Sequence, residues 1–200
     1  VERQPAPGAT HASGGLGALI DKGKCRASLV HTGKYTAWHR VELKTARPLF
    51  VGSALYPHCR DMPGHREANT EMLDYATSLG QGARVVFGGD LNCHTGANGD
   101  EAPVDGTGRL FLETASKAGL HVLNFLPAIC TSQHSRVETK AAGMERSTID
   151  YACCSGAVLP LVKSLRFHGD SMGSDHKPLI LKLGGVAPVA GDVSRLREVW

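Results

Sequence analysis

The chain has 200 residues, 42% of them hydrophobic and 20% charged, with a formal net charge of +3. That length suits one core-forming domain, and the composition is too mixed for a disordered chain. No apolar run approaches a membrane span and no charged-then-apolar leader opens the sequence, so a soluble intracellular protein, nuclear or cytoplasmic, is expected. The mild basicity is compatible with a polyanionic partner and demonstrates none. Six cysteines (Cys25, Cys59, Cys93, Cys130, Cys153 and Cys154) are scattered without a Cys-x-x-Cys pair. Reduced thiols are expected rather than a zinc site.

In chain order, Val1 to Ser13 is rich in proline, alanine and glycine and reads as a loop. Gly14 to Ile20, Cys25 to His31, Tyr35 to Leu43 and Pro48 to Leu55 read as strands of an antiparallel meander that Pro57 ends. From Arg66 to Leu79 the spacing of Ala68, Met72, Leu73, Ala76 and Leu79 predicts a helix stopped by Gly80. Ala83 to Phe87 is the next strand, Asn98 to Gly108 a loop, Arg109 to Ala118 a helix closed by Gly119, and Leu120 to Leu126 a short strand. The polar segment Thr131 to Ser147 precedes a strand around Asp150. Val158 to Phe167 reads as a strand or short helix, and Pro178 to Leu183 alternates like a strand. Gly184 to Gly191 looks like a linker, after which Asp192 to Trp200 begins a charged, helical element. The division expected is one domain over 1–183 and a linker with the start of a further element over 184–200.

Chemistry concentrates at three strand ends. The apolar run Val85-Val86-Phe87 breaks at Gly88-Gly89 and then presents Asp90, Asn92 and His94. The glycines let another backbone or a phosphate come close. Asp150 sits in the apolar run Thr148 to Ala152, and Ser174-Asp175-His176 stands directly before the last strand. Taken singly, each is an ordinary turn or capping residue. Taken together, the carboxylates and the amide oxygen suit a hard divalent ion such as Mg²⁺ or Mn²⁺. The imidazole beside a carboxylate suits phosphoryl chemistry, as general acid or base or as a donor to transition-state oxygens. Metal-assisted hydrolysis of a phosphate ester uses the whole set.

Gly88-Gly89-Asp90-Leu91-Asn92, Ser147-Thr148-Ile149-Asp150-Tyr151 and Gly173-Ser174-Asp175-His176-Lys177-Pro178, in that order, resemble the last three motifs of the endonuclease/exonuclease/phosphatase superfamily. Asn92 to Gly96, Ser147 to Tyr151, Gly14 to Ile20 and Trp38 to Leu43 look most like the apurinic-type endonuclease domain of non-long-terminal-repeat (LINE-like) retrotransposon polyproteins. The resemblance implies an α/β fold, a two-sheet sandwich with helices outside, and Mg²⁺- or Mn²⁺-dependent hydrolysis of DNA phosphodiesters. It implies that Asp90 orients and deprotonates the attacking water and helps to hold the metal. Asn92 would hold water or phosphate, His94 would contact substrate, and His176 would touch the scissile phosphate. Asp150 would orient His176, and Asp175 would ligate the metal. It also implies fusion to a reverse transcriptase, with DNA as partner and target choice set by loops such as Thr131 to Ser147.

Two departures are visible. The family's early Asn and metal-binding Glu motifs lie upstream of Gly14-Gly15, where Glu2 is the only carboxylate and its surroundings do not match. An N-terminally incomplete domain, with the activity of this piece alone left open, is the corresponding expectation. The family's Tyr two residues before a proline is replaced by Leu55, with Tyr56 on the opposite strand face. Alternatives are a phosphatase or nucleotide-ester hydrolase of the same superfamily, and a decayed domain that binds DNA or protein without cutting. Lys22, Lys24, Arg26, Lys34, Arg40, Arg60 and Arg66 are candidates to follow a DNA backbone, a solvated surface being the commoner fate of such charges.

Overall fold

The computed structural model describes residues 25–43, 47–97, 100–131, 134–140, 143–171 and 173–184. Three strands, β1 (Arg26–Thr32), β2 (Thr36–Glu42) and β3 (Leu49–Leu55), pair antiparallel as the meander predicts. The expected strand at Gly14 to Ile20 and the tail beyond Gly184 lie outside the described residues. Helix α1 (Met62–Ser78) then carries the chain back over the sheet, so that β4 (Arg84–Asp90) lies parallel to β3.

Helix α1 starts four residues before the apolar period suggests. Its first turn is set by a cap, Asp61 accepting from the Gly64 amide at 3.0 Å, with Pro63 where no amide partner is needed. Helix α2 (Gly106–Lys117) likewise starts inside the stretch expected to be loop. Asp105 caps it, accepting from the Gly108 amide and the Thr107 hydroxyl. A Cβ at Gly108 would lie 1.9 Å from the His94 carbonyl oxygen, so only glycine lets this helix start against the His94 loop.

The remaining strands are β5 (Leu120–Val122), β6 (Arg136–Lys140), β7 (Gly143–Ser147), β8 (Asp150–Ser155), β9 (Val162–Phe167) and β10 (Leu179–Leu183). Beyond Val122 the expected strand gives way to a 3₁₀ turn over Leu123–Phe125, and a second such turn over Leu159–Leu161 leads into β9. The polar segment before Asp150 contains the hairpin β6–β7.

The main sheet has six strands in the order β1-β2-β3-β4-β8-β5, and β9–β10 forms a second, small sheet. Alternate side chains of β4 and β8 point to opposite faces. Val85, Phe87, Tyr151 and Cys153 pack under Met72, Ala76, Phe111 and Ala115 of the helices. Val86, Ala152 and Cys154 pack with Cys130, Val158 and Leu165 toward the small sheet. The result is an α/β sandwich with two apolar layers, and β8, covered on both faces, is its most buried strand. Four of the six cysteines, Cys93, Cys130, Cys153 and Cys154, are buried in these layers. Among the described residues no helix is long and apolar enough to cross a membrane.

Candidate active site

The sheet delivers its chemistry at the C-terminal end of β4. Leu55, Asp90 and Asp150 occupy one row of the ladder, with Asp90 directly opposite Asp150. The two glycines before Asp90 allow this, through the approach of neighbouring backbones rather than of a ligand. A Cβ at Gly88 would meet the Tyr151 carbonyl oxygen at 2.4 Å, and one at Gly89 the Ala54 oxygen at 2.1 Å.

Asp90 accepts from the Asn92 amide at 3.0 Å and from the Asn92 side-chain nitrogen at 3.1 Å. That nitrogen also donates to the Tyr56 carbonyl at 3.1 Å, and the Asn92 backbone takes a positive φ of 45° to reach both. Asp150 accepts from His176 Nδ1 at 2.9 Å. Because a carboxylate can only accept, the Nδ1 proton is fixed and Nε2 is left for a ligand. One ligand atom each from Asp90, Asp150 and His176 lies within 4.8 Å of the others. Burial, then the facing Asp150 charge, pushes the Asp90 carboxyl up to about 6. The Asp150 bond raises the His176 imidazole above its ordinary value.

The other expected residues fall around this group. Asp175 is half-exposed and accepts from Arg136 Nε at 2.8 Å, which holds its carboxyl below the usual range. It is not one of the clustered three. His94 lines the same cleft as Asn92 and His176, a space of about 470 Å³ that also touches His58, Cys59, Arg60, Arg136, Glu145, Ser147 and Ile149. Of the basic residues singled out in the sequence, Arg60 lines this cleft, whereas Lys34 pairs with Glu67 and Arg40 with Glu42. Tyr56 points inward, buried, its hydroxyl bonded to the Ala68 carbonyl. A larger depression of about 540 Å³ lies at the opposite end of β4, where Lys117 is the only charged side chain, and offers no comparable chemistry.

Several supporting residues escaped the sequence reading. Ser135 is buried and its hydroxyl accepts from the amides of both Ile149 and Asp150, at 3.0 and 3.1 Å. Its own carbonyl accepts from the Lys177 amide, and the Val137 amide donates to Asp175, so β6 fastens the His176 segment beside Asp150. Asn124 replaces a neighbouring strand where β5 ends, donating to the Asp150 carbonyl and accepting from the Ala152 amide. The Tyr151 hydroxyl joins Thr95, Cys93 and Thr148 beneath the site. Ser135 is one of many polar residues in its segment and carries no spacing signal, whereas Asn124 was visible only as a lone amide interrupting the apolar run Leu120 to Leu126.

Ser135→Ala is therefore expected to cost about 2–3 kcal/mol, because it strands two buried amides at once. Urea unfolding checks the value, and a loss near that of an exposed serine would remove Ser135 from this role.

Against known proteins, a model of the endonuclease-reverse transcriptase family matches residues 53–180. The endonuclease domain of TRAS1, a telomere-specific non-LTR retrotransposon, aligns at TM-score 0.68 and 20% identity, over 82% of this chain and 71% of that one. The 3′ phosphatase NExo from Neisseria, solved with a product DNA hairpin, aligns at TM-score 0.59 and 12% identity, over 78% and 70%. An endonuclease/exonuclease/phosphatase family protein from Bacteroides thetaiotaomicron aligns at 0.54 and 15%, over 78% and 65%. No curated protein sequence matches the chain. At these identities the structural likeness establishes the fold, and the family match spans more than half of the sequence. The chain belongs to the endonuclease-reverse transcriptase family.

Proposed function

We propose that this chain is the DNA-cutting domain of a retroelement polyprotein, hydrolysing phosphodiester bonds with a divalent ion, Mg²⁺ or Mn²⁺. The observation that carries the reading is the row of Asp90 against Asp150, with His176 fastened to Asp150 by Nδ1. The domain proposed runs over 1–183, and 184–200 leads toward a reverse transcriptase.

The donor set fits the ion. Two facing carboxylates, one of them pushed up to about 6 by burial and by the other's charge, are what a hard cation relieves. Asp90 and Asp150 would hold it, with Asp175 as the further carboxylate beside His176. When bound, the ion supplies charge neutralisation on phosphate oxygens and a more acidic water.

The chain's own groups do the rest. Ionised Asp90 takes the proton of an attacking water that Asn92 helps to place. As the imidazolium, the form the Asp150 bond favours, His176 directs Nε2–H at the phosphate and donates to its oxygens as charge builds, while Asp150 fixes the ring's orientation. Arg60 and Arg136 line the cleft wall, where a polyanion would run.

Nicking of supercoiled plasmid at low salt tests the proposal. Cutting is expected with either ion, should stop on adding EDTA, return on adding excess ion, and fall steeply as salt rises. Cutting that EDTA leaves untouched would sink the metal role. Release of phosphate from a terminal phosphate ester without any nicking would favour the phosphatase alternative.

A further inference from the structure

A second imidazole–carboxylate pair lines the same cleft. His94 Nδ1 lies 3.1 and 3.3 Å from the two carboxylate oxygens of Asp100. The Asp100 side chain is fully buried, whereas His94 keeps 22% exposure. Six residues apart on a loop, the two look in sequence like turn residues, and nothing in the sequence pairs them.

The pair is built rather than incidental. A buried carboxylate must be compensated, and Asp100 also accepts from the Ala102 amide at 3.3 Å and the Thr148 amide at 3.5 Å. Thr148 stands two residues before Asp150, so one short segment ties both pairs together. The His94 backbone is held as well, its carbonyl accepting from the Asp105 amide and closing against Gly108. With Nδ1–H committed to Asp100, the other ring nitrogen is the one left to face a ligand. The arrangement repeats that of Asp150 and His176, and Asn92 touches the cleft together with both imidazoles.

We infer that His94, positioned by Asp100, grips the phosphate next to the one presented to His176, so that the cleft selects a polynucleotide over an isolated phosphate ester. The inference rests on the DNA reading above. Two fixed imidazoles with Arg60 and Arg136 around one cleft of about 470 Å³ offer a strand's backbone more than one donor. Asp100 is a positioning residue, acting only through His94.

Fluorescence anisotropy with a short labelled duplex in EDTA measures binding with cutting switched off. His94→Ala is expected to weaken binding roughly tenfold and to lower the slope of log affinity against log salt by about one. Asp100→Asn should produce part of both changes, and His94→Lys should restore the slope. With Mg²⁺ present, the loss should appear in KM rather than kcat. It should also be about fivefold greater on duplex than on bis(p-nitrophenyl) phosphate, which has one phosphodiester and nothing beyond it. Should Asp100→Asn fail to fold, the two His94 variants decide. Unchanged affinity and slope in His94→Ala, or an equal kcat loss on both substrates, would overturn the inference while leaving the nuclease intact. A wild-type chain that binds duplex with this His94 dependence but never cuts would overturn the nuclease reading and leave the inference standing. A wild-type chain with no affinity for duplex would sink both.

Discussion

Asp90→Asn should reduce plasmid nicking by about 10³-fold or more while making the folded chain more stable at neutral pH. The first half follows from losing both the proton acceptor and one of two facing carboxylates, since a positioned base alone contributes about 10²–10⁴-fold. The second half follows from the carboxyl's displacement. In the fold it titrates near 6, against 3.8 for an unperturbed aspartate, because it is largely buried and faces Asp150. A raised acid binds its proton more tightly when folded. Its contribution to stability is complete below 3.8 and lost as pH climbs through about 6, after which the ionised form burdens the fold.

At about 1.4 kcal/mol per unit, that burden approaches 3 kcal/mol at neutral pH. Asparagine removes the charge but turns a donor toward the Asn92 side chain, costing about 1 kcal/mol. The net gain expected is about 1–2 kcal/mol, a rise of several degrees in Tm for a chain of this size. Adding Mg²⁺ should raise the Tm of the wild type and leave that of the variant nearly fixed. Thermal melts at pH 7.5 with and without the ion, alongside nicking, check all of this. A variant that still cuts, or that melts well below the wild type, would contradict the assignment of Asp90.

How much of this was legible beforehand depended on whether the information was local. Gly88-Gly89-Asp90-Leu91-Asn92 states its own geometry, since an apolar strand, two glycines and a turn-forming Asx pair are contiguous. Asp150 and His176 were visible because each interrupts or precedes an apolar run. Their direct bond is a matter of register, which places Asp150 opposite Asp90 and brings the His176 segment beside β6.

The helix starts were missed for a different reason. Asp61 and Asp105 are caps whose following residues include Pro63, Gly64, Gly106 and Gly108, and such residues read as loop when only apolar period is counted. The signal was present as Asp three residues before the amide it caps. The pairing of Asp100 with His94 had no such signal. A loop acid becomes a buried partner only once the segment at Thr148 closes over it, a tertiary event with no sequence period. The displaced Tyr56 shows the opposite case: strand alternation predicted that its phenol would face away from Leu55, and it lies buried against Ala68.

Gly89→Ala should cost at least 3–4 kcal/mol, and prevent folding if stability is ordinary. Gly89 has φ near 145°, a conformation L residues rarely adopt, worth about 1–3 kcal/mol of strain. The larger cost is steric. The added methyl would sit 2.1 Å from the Ala54 oxygen and 3.0 Å from its carbon and nitrogen, all of them backbone atoms of the paired strand. No side chain can swing away, so relief requires β4 to part from β3 in the row before Leu55 and Asp90. Gly80→Ala is the matched control, with a positive φ of 81° and nothing within 4 Å of the new methyl. Its cost should be about 1 kcal/mol, the backbone term alone. Urea unfolding of the two variants separates these contributions. Equal losses would mean that backbone conformation, not strand approach, requires glycine at 89. A much larger loss at Gly89 would place the requirement in the squeeze of β4 between its neighbours, the same squeeze that sets Asp90 against Asp150.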